Sequence, residues 1–328
     1  MKRQQKSAVK LAHVIRGQHA ESEHWGHIVV ANAHGDVLQS WGNPELVVHM
    51  RSAAKPFQSV PALQDNVAAH FHFSQKELAL ACASHNGEPE HMEIAASLLR
   101  KIGFSEEFLQ CGVHRPLGVD LGVVDEEPPY SVLQNNCSGK HALMLAACVK
   151  NDWPIENYLD PAHPHQQRIL GTLARMGCIE SKNIGINIDG CSAPEFSLPL
   201  KNVATMYANL AAGVESPIDP FELMANHPFV VAGTKRFDTA VMSAGDGKLI
   251  AKIGAEGLEC FAVRGSNPLG IVISISDGNS RATPPVALEL LQRLQVLNAQ
   301  QLESLQMYST TEELNHRGML VGRIECVL

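Results

Sequence analysis

Strand-like runs lie at both ends of this chain with a long helical block between them, and that arrangement limits the folds open to it. Near the start, "HIVVA" (27–31) and "VLQSW" (37–41) flank "NAHGD", which reads as a hairpin turn around Gly35, and "ELVVHM" (45–50) follows. The last third returns to strands in "KLIAKIGAE" (248–256), "LECFAV" (258–263) and "LGIVISISDG" (269–278). A helix over 284–297 and a final apolar stretch, "MLVGRIECVL", complete it. In between, "FSQKELALACAS" opens with Ser74 and Glu77 at capping-box spacing, and "GEPEHMEIAASLLRKIG" places Pro89 at a helix start and Gly103 at its end. Segments 137–150, 165–177 and 198–213 carry helical periodicity, with a short buried strand at 184–188. The pattern predicts an α+β, layered fold with a mixed or antiparallel sheet built from both chain ends. It predicts one domain over 1–328, with a largely helical subregion at about 55–215 inserted between the sheet-forming segments.

Charge narrows the partners. The 26 Lys and Arg are scattered and outnumbered by 34 Asp and Glu, a formal charge of −8, so no nucleic acid and no anionic membrane surface is expected as a partner. Lys10, His13 and Arg16 break up the only apolar segment near the start, and no uncharged run reaches about 18 residues. A cytoplasmic location is expected. Eight cysteines without a C-x-x-C argue against a disulfide framework and for buried free thiols.

The stretch "HMRSAAKPFQ" (49–58) raises the chemical question. Ser52 and Lys55 are three apart, so on a helix they share a face. A desolvated lysine loses its proton more readily, and the neutral amine can then accept a serine's proton. The bland alternative is a surface lysine lying along a helix. Serine amidases and penicillin-recognising enzymes follow S-x-x-K with S-x-N and K-[ST]-G. Ser84-His85-Asn86 and Lys252-Ile253-Gly254 stand in that order, although Ser181-Lys182-Asn183 and Lys101-Ile102-Gly103 fit as well. Ile253 lacks the hydroxyl of the third motif, which counts against a penicillin-directed site.

Together, "RSAAKPFQ", "CASHNGEPEH", "NNCSGKHALML", "DGCSAPEFSLPL", "HPFVVAGTKRFDTAVM", "AKIGAEG" and "SDGNSRA" resemble the L-asparaginase II family of the rhizobial, class 3 type, from about residue 10 to 295. The resemblance implies a zinc-binding amidohydrolase, a homodimer, and a fold similar to serine β-lactamases, DD-peptidases and bacterial glutaminases. It implies one catalytic pair in Ser52 and Lys55 and a second in Ser84 and Lys252. It also implies a Zn2+ held by Cys137, Lys140 and Cys191, where the residues alone read as two buried structural thiols. The family usually has a lysine a few residues before "DGNSRA", where this chain has Ser274.

The implied reaction is hydrolysis of L-asparagine to L-aspartate and ammonia. Ser52, deprotonated by Lys55, attacks the amide, and the roles of the two serines are exchangeable. Alternatives are a related amidohydrolase acting on glutamine or a β-lactam, or a zinc or thiol sensor without turnover. Arg51, His85, Asn86 and Asp189 are candidate substrate contacts. Arg51, Arg264 and Arg281 can each pair with a substrate carboxylate, and nothing selects among them. Asp189 either orients Lys140 or the metal or is a solvated turn residue. His85 and His141 are either structural hydrogen-bonders or acid–base groups.

Overall fold

The computed structural model describes residues 8–328. The basic start, residues 1–7, lies outside them. The strands are β1 (Val9–Arg16), β2 (His19–Asn32), β3 (Val37–Trp41), β4 (Val47–His49), β5 (Gly185–Ile188), β6 (Pro194–Pro199), β7 (Leu249–Ile253), β8 (Leu258–Val263), β9 (Leu269–Ile275), β10 (Thr311–Leu314) and β11 (Leu320–Cys326). The chain divides into two compact units. The first takes the chain up to Ala53, Leu198–Ala211 and Ala240–Leu328, and the second takes Ala54–Ser197 and Ala212–Thr239.

The first unit holds an antiparallel sheet in the order β10-β11-β1-β2-β9-β8-β7, with β3 on β2. Both chain ends build it, as the sequence pattern predicts: β1 pairs with β11 (Ala12 opposite Cys326) and β2 with β9 (Val29 opposite Val272). Ile28–Ala31 and Ile271–Ile273 are buried, residue after residue, so "HIVVA" is a continuous apolar run because this strand has no solvent face there. Each such Val or Ile contributes about 1.5–3 kcal/mol relative to exposure.

The Thr283–Arg293 helix packs over β1, β9 and β11. The Leu200–Ala212 helix meets β9 at Gly270, where a Cβ would collide with the Ala204 carbonyl. Segment 198–211 therefore sits with the sheet, whereas the sequence pattern placed it in the inserted block. β1 was not legible as a strand, because Lys10 and His13 look like interruptions. They are cross-strand partners, Lys10 Nζ 2.5 Å from Glu23 and His13 Nε2 3.4 Å from Glu325.

The second unit is organised by the Ser138–Lys150 helix, buried from Ser138 to Cys148. It packs against the Lys55–Gln64, Gln75–Ala81, Pro89–Lys101 and Pro164–Met176 helices. A helix covered on all sides has no polar face to keep, hence the run "ALMLAAC". The predicted Ser74–Glu77 capping box forms, and Pro89 opens its helix. β5 and β6 form an antiparallel pair, Ile186 opposite Phe196. Among the described residues no helix is long and apolar enough to cross a membrane.

Candidate active site

Within the second unit, Lys55 is the first residue of its helix and fully buried. Its Nζ donates to Ala83 O at 2.6 Å and Asn136 O at 2.8 Å, and lies 3.0 Å from Ser84 Oγ. Burial pushes its pKa below the ordinary lysine value, with Cys137 opposing and Lys140 reinforcing the shift. The two carbonyls can only accept, so they take two N–H bonds. The third neighbour is a hydroxyl, which can also donate, so a neutral Lys55 amine directs its lone pair at Ser84. That is the geometry of a base holding a nucleophile's proton.

Local chemistry builds this arrangement. Segment 84–86 is held against 231–232, with Ser84 N donating to Val231 O at 2.9 Å and Asn86 N to Ala232 O at 3.0 Å. Gly139 lets the start of its helix press on the end of the 75–81 helix, since a Cβ there would collide with Leu80 O. This close approach holds the Asn136 carbonyl, Cys137 and Lys140 next to the 83–84 segment.

His85 is buried, and burial, with His91 and Lys55 nearby, pushes its pKa well below the ordinary value. Its Nδ1 accepts from Gly87 N at 3.1 Å, which fixes the proton on Nε2, 3.0 Å from Ser138 Oγ. Ser138 Oγ donates in turn to Leu133 O at 3.0 Å. The ring stacks on His91, and His91 on Phe229, with centroids 4.9 Å apart in each case. Both nitrogens of His85 are thus used within the protein. Asn86 is equally committed: Nδ2 donates to Glu88 Oε1 at 3.0 Å and Thr234 O at 2.9 Å, while Oδ1 accepts from Arg236 Nη1 at 3.1 Å.

A second cluster joins Cys137, Lys140 and Cys191, all buried. Lys140 Nζ lies 3.1 Å from Cys191 Sγ. The neighbouring Cys137 lowers the Cys191 thiol below an ordinary cysteine, against burial, and Lys140 and His141 add to the shift. Cys137 is correspondingly pushed up, by Cys191 first and burial next. Burial alone would lower Lys140, but the two cysteines and Asp189 raise it. Asp189 caps the turn before Cys191, Oδ1 accepting from Gly190 N at 2.8 Å. His141 bonds Tyr158 through Nδ1 at 2.7 Å, and its buried Nε2 has no hydrogen-bond partner. Two cysteine sulfurs and a lysine amine, with Lys140 in contact with Cys191, are a donor set of a kind that can bind zinc. Among the described residues no three His, Cys, Asp or Glu side chains are disposed to hold a metal ion.

The other predicted residues belong to the first unit. Ser52 lies in a 3-10 turn, Arg51–Ala54, behind Arg51, whose φ of +48° is a left-handed backbone unusual for a side chain this large. Lys252, on β7, is fully buried and donates to its neighbour Ile253 O at 2.9 Å. Ser274 is buried on β9 opposite Leu258.

The L-asparaginase II family model matches residues 12–326. This chain belongs to that family. Membership supports an amidohydrolase. None of the curated proteins matches the chain. Solved structures similar to it include Mglu in its native form, 15% identical over 84% of this chain and 65% of that one, with a TM-score of 0.47. Mglu in its glutamate form is 14% identical over 83% of this chain and 61% of that one, with a TM-score of 0.48. A Bacillus glutaminase is 14% identical over 83% of this chain and 91% of that one, with a TM-score of 0.33. The chain spans just under two thirds of the length of native Mglu.

Sequence reasoning missed Glu88, Thr234, Arg236 and the Asn136 carbonyl. The signal available was Gly233, at φ +117°, where a Cβ would come within 2.6 Å of Glu88 Oε1. Nothing in the sequence says which segment a glycine is approached by.

Proposed function

We propose that this protein is an L-asparaginase, hydrolysing L-asparagine to L-aspartate and ammonia, with Lys55 acting as base on Ser84. The observation that carries the reading is the buried Lys55 amine, held by two carbonyls with Ser84 Oγ as its third neighbour at 3.0 Å. Ser84 Oγ attacks the side-chain amide carbon as its proton passes to Lys55 Nζ. The protonated Lys55 returns that proton to the amide nitrogen, and ammonia leaves as the aspartyl ester of Ser84 forms. Water then gives a proton to Lys55 and attacks the ester. L-aspartate departs and the proton returns to Ser84.

His85 in this reading is a positioning residue: through Ser138 and Leu133 it steadies the segment whose Asn136 carbonyl holds Lys55. Cys137, Lys140 and Cys191 would hold the zinc that the family resemblance implies, and a bound zinc would supply a Lewis acid. Asp189 supports Cys191 from the turn. Glutamine, longer by a methylene, is disfavoured by about 1–3 kcal/mol from pocket fit alone. A homodimer and a cytoplasmic setting rest on the resemblance and on charge patterning.

Ammonia release from L-asparagine and L-glutamine tests the reading. Lys55→Met and Ser84→Ala are expected to lose about 10²–10⁴-fold in kcat. Ser52→Ala and Lys252→Met measure the part played by the first unit's candidates. Loss confined to Ser52→Ala would move the nucleophile to Ser52, and no ammonia from folded, zinc-replete protein would reject the asparaginase.

A further inference from the structure

Arg236 is a half-buried cation that the fold pins in place without neutralising. Its Nη1 donates to Ser84 O at 3.3 Å and to Asn86 Oδ1 at 3.1 Å, both uncharged acceptors. Among the described residues no carboxylate pairs with it and no acceptor is assigned to its Nε or Nη2. Other arginines do have such partners: Arg168 has Asp65, Arg115 has Glu126 and Asp120, and Arg281 has Glu313. Glu88, the carboxylate of the same network, is already taken. Its Oε1 accepts from Thr234 N at 2.8 Å and Asn86 Nδ2 at 3.0 Å, and its Oε2 accepts from Thr234 Oγ1 at 2.7 Å.

A partly desolvated guanidinium without a counter-charge is costly. The surrounding network nonetheless holds it there. Glu88 and Asn86 tie down Thr234, two residues before Arg236, and Gly233 supplies the close approach. The consequence is positional. Ser84 offers its backbone carbonyl to Arg236 and its Oγ to Lys55, so cation and reacting hydroxyl are one residue's breadth apart.

We propose that Arg236 seats the α-carboxylate of the amino-acid amide. The proposal rests on reading Ser84 as the reaction centre. The remaining N–H groups of a planar guanidinium match two carboxylate oxygens, and anchoring one end of a short substrate fixes the reach of its amide. An amide without the carboxylate leaves the cation unpaired and gains nothing from it.

Three amides read this directly: L-asparagine, succinamic acid, which lacks the α-amine, and 3-aminopropanamide, which lacks the carboxylate. In Arg236→Gln, kcat/KM for asparagine and succinamic acid is expected to fall about 10- to 100-fold, chiefly through KM. Turnover of 3-aminopropanamide should stay within about threefold, which also shows that the variant is folded. An equal loss on all three amides, or no loss on asparagine, overturns the proposal. If Arg236→Gln does not fold, Arg236→Lys carries the test. A fall of about threefold or more in the preference for asparagine over 3-aminopropanamide supports the seat, and an unchanged preference overturns it. If the wild type hydrolyses none of the three, the reaction reading fails by itself, and calorimetric titration with L-aspartate takes over. Binding that Arg236→Gln weakens at least tenfold keeps the seat; no binding, or equal binding, removes it.

Discussion

At Lys55 two backbone carbonyls and one hydroxyl meet a buried amine, and the difference between those partners decides the chemistry. Burial favours the neutral amine, and of the two carbonyls and one hydroxyl bonded to it Ser84 can then turn donor. The pH dependence follows from the sign of that shift. The base works when unprotonated, so kcat/KM for asparagine should rise with pH and level off once Lys55 is neutral. Because its pKa is lowered, the midpoint of the rise should lie below the ordinary lysine value near 10.4, and a pH–rate profile checks it. A rise centred at or above that value would show that Lys55 is not the titrating base. The residue types of this site were legible in the sequence, whereas the contact between Lys55 and Ser84 was not. S-x-x-K spacing joins Ser52 to Lys55 along the chain. The bond to Ser84 spans 29 positions and exists because the Gly139 approach sets helices together. Arg236 was illegible for the same reason, since its acceptors lie about 150 positions earlier.

Elements differ in how local their causes are. The Ser74–Glu77 box and the Pro89 helix start are settled within a few residues, and both form as the sequence predicts. β1 is settled by partners at Glu23 and Glu325, so the charges that stabilise it disguise it. The 231–236 segment likewise owes its place to Glu88. Burial would raise that carboxyl, but the Thr234 N–H and hydroxyl and the Asn86 amide hold its pKa below the ordinary carboxylate value. Its contribution to stability is therefore full above the ordinary glutamate pKa and is lost as pH falls through the lowered folded value. Glu88→Gln should cost about 1–3 kcal/mol at neutral pH, measured by denaturant unfolding, with the deficit shrinking in acid. A deficit that does not depend on pH would rule out the charged clamp.

For the whole molecule, the α+β class and the sheet built from both chain ends were readable from where apolar runs begin and end. The division at 198–211 was not, because a helical period does not say which surface a helix covers. The metal question also belongs to this scale. Without metal, Lys140 Nζ still contacts Cys191 Sγ at 3.1 Å, so neither buried group is left without a partner. Chelation should accordingly raise KM for asparagine while moving the melting temperature by only about 5 °C or less. Collapse of the fold on chelation would instead make the proposed zinc structural.

The ester itself is the most direct test of the central claim. Protein mixed with L-asparagine, quenched in acid within the first turnover and mapped by peptide mass spectrometry should carry an aspartyl group on the peptide containing Ser84, and the Lys55→Met variant should not accumulate it. An aspartyl group on Ser52, or steady turnover with neither serine modified, would contradict it.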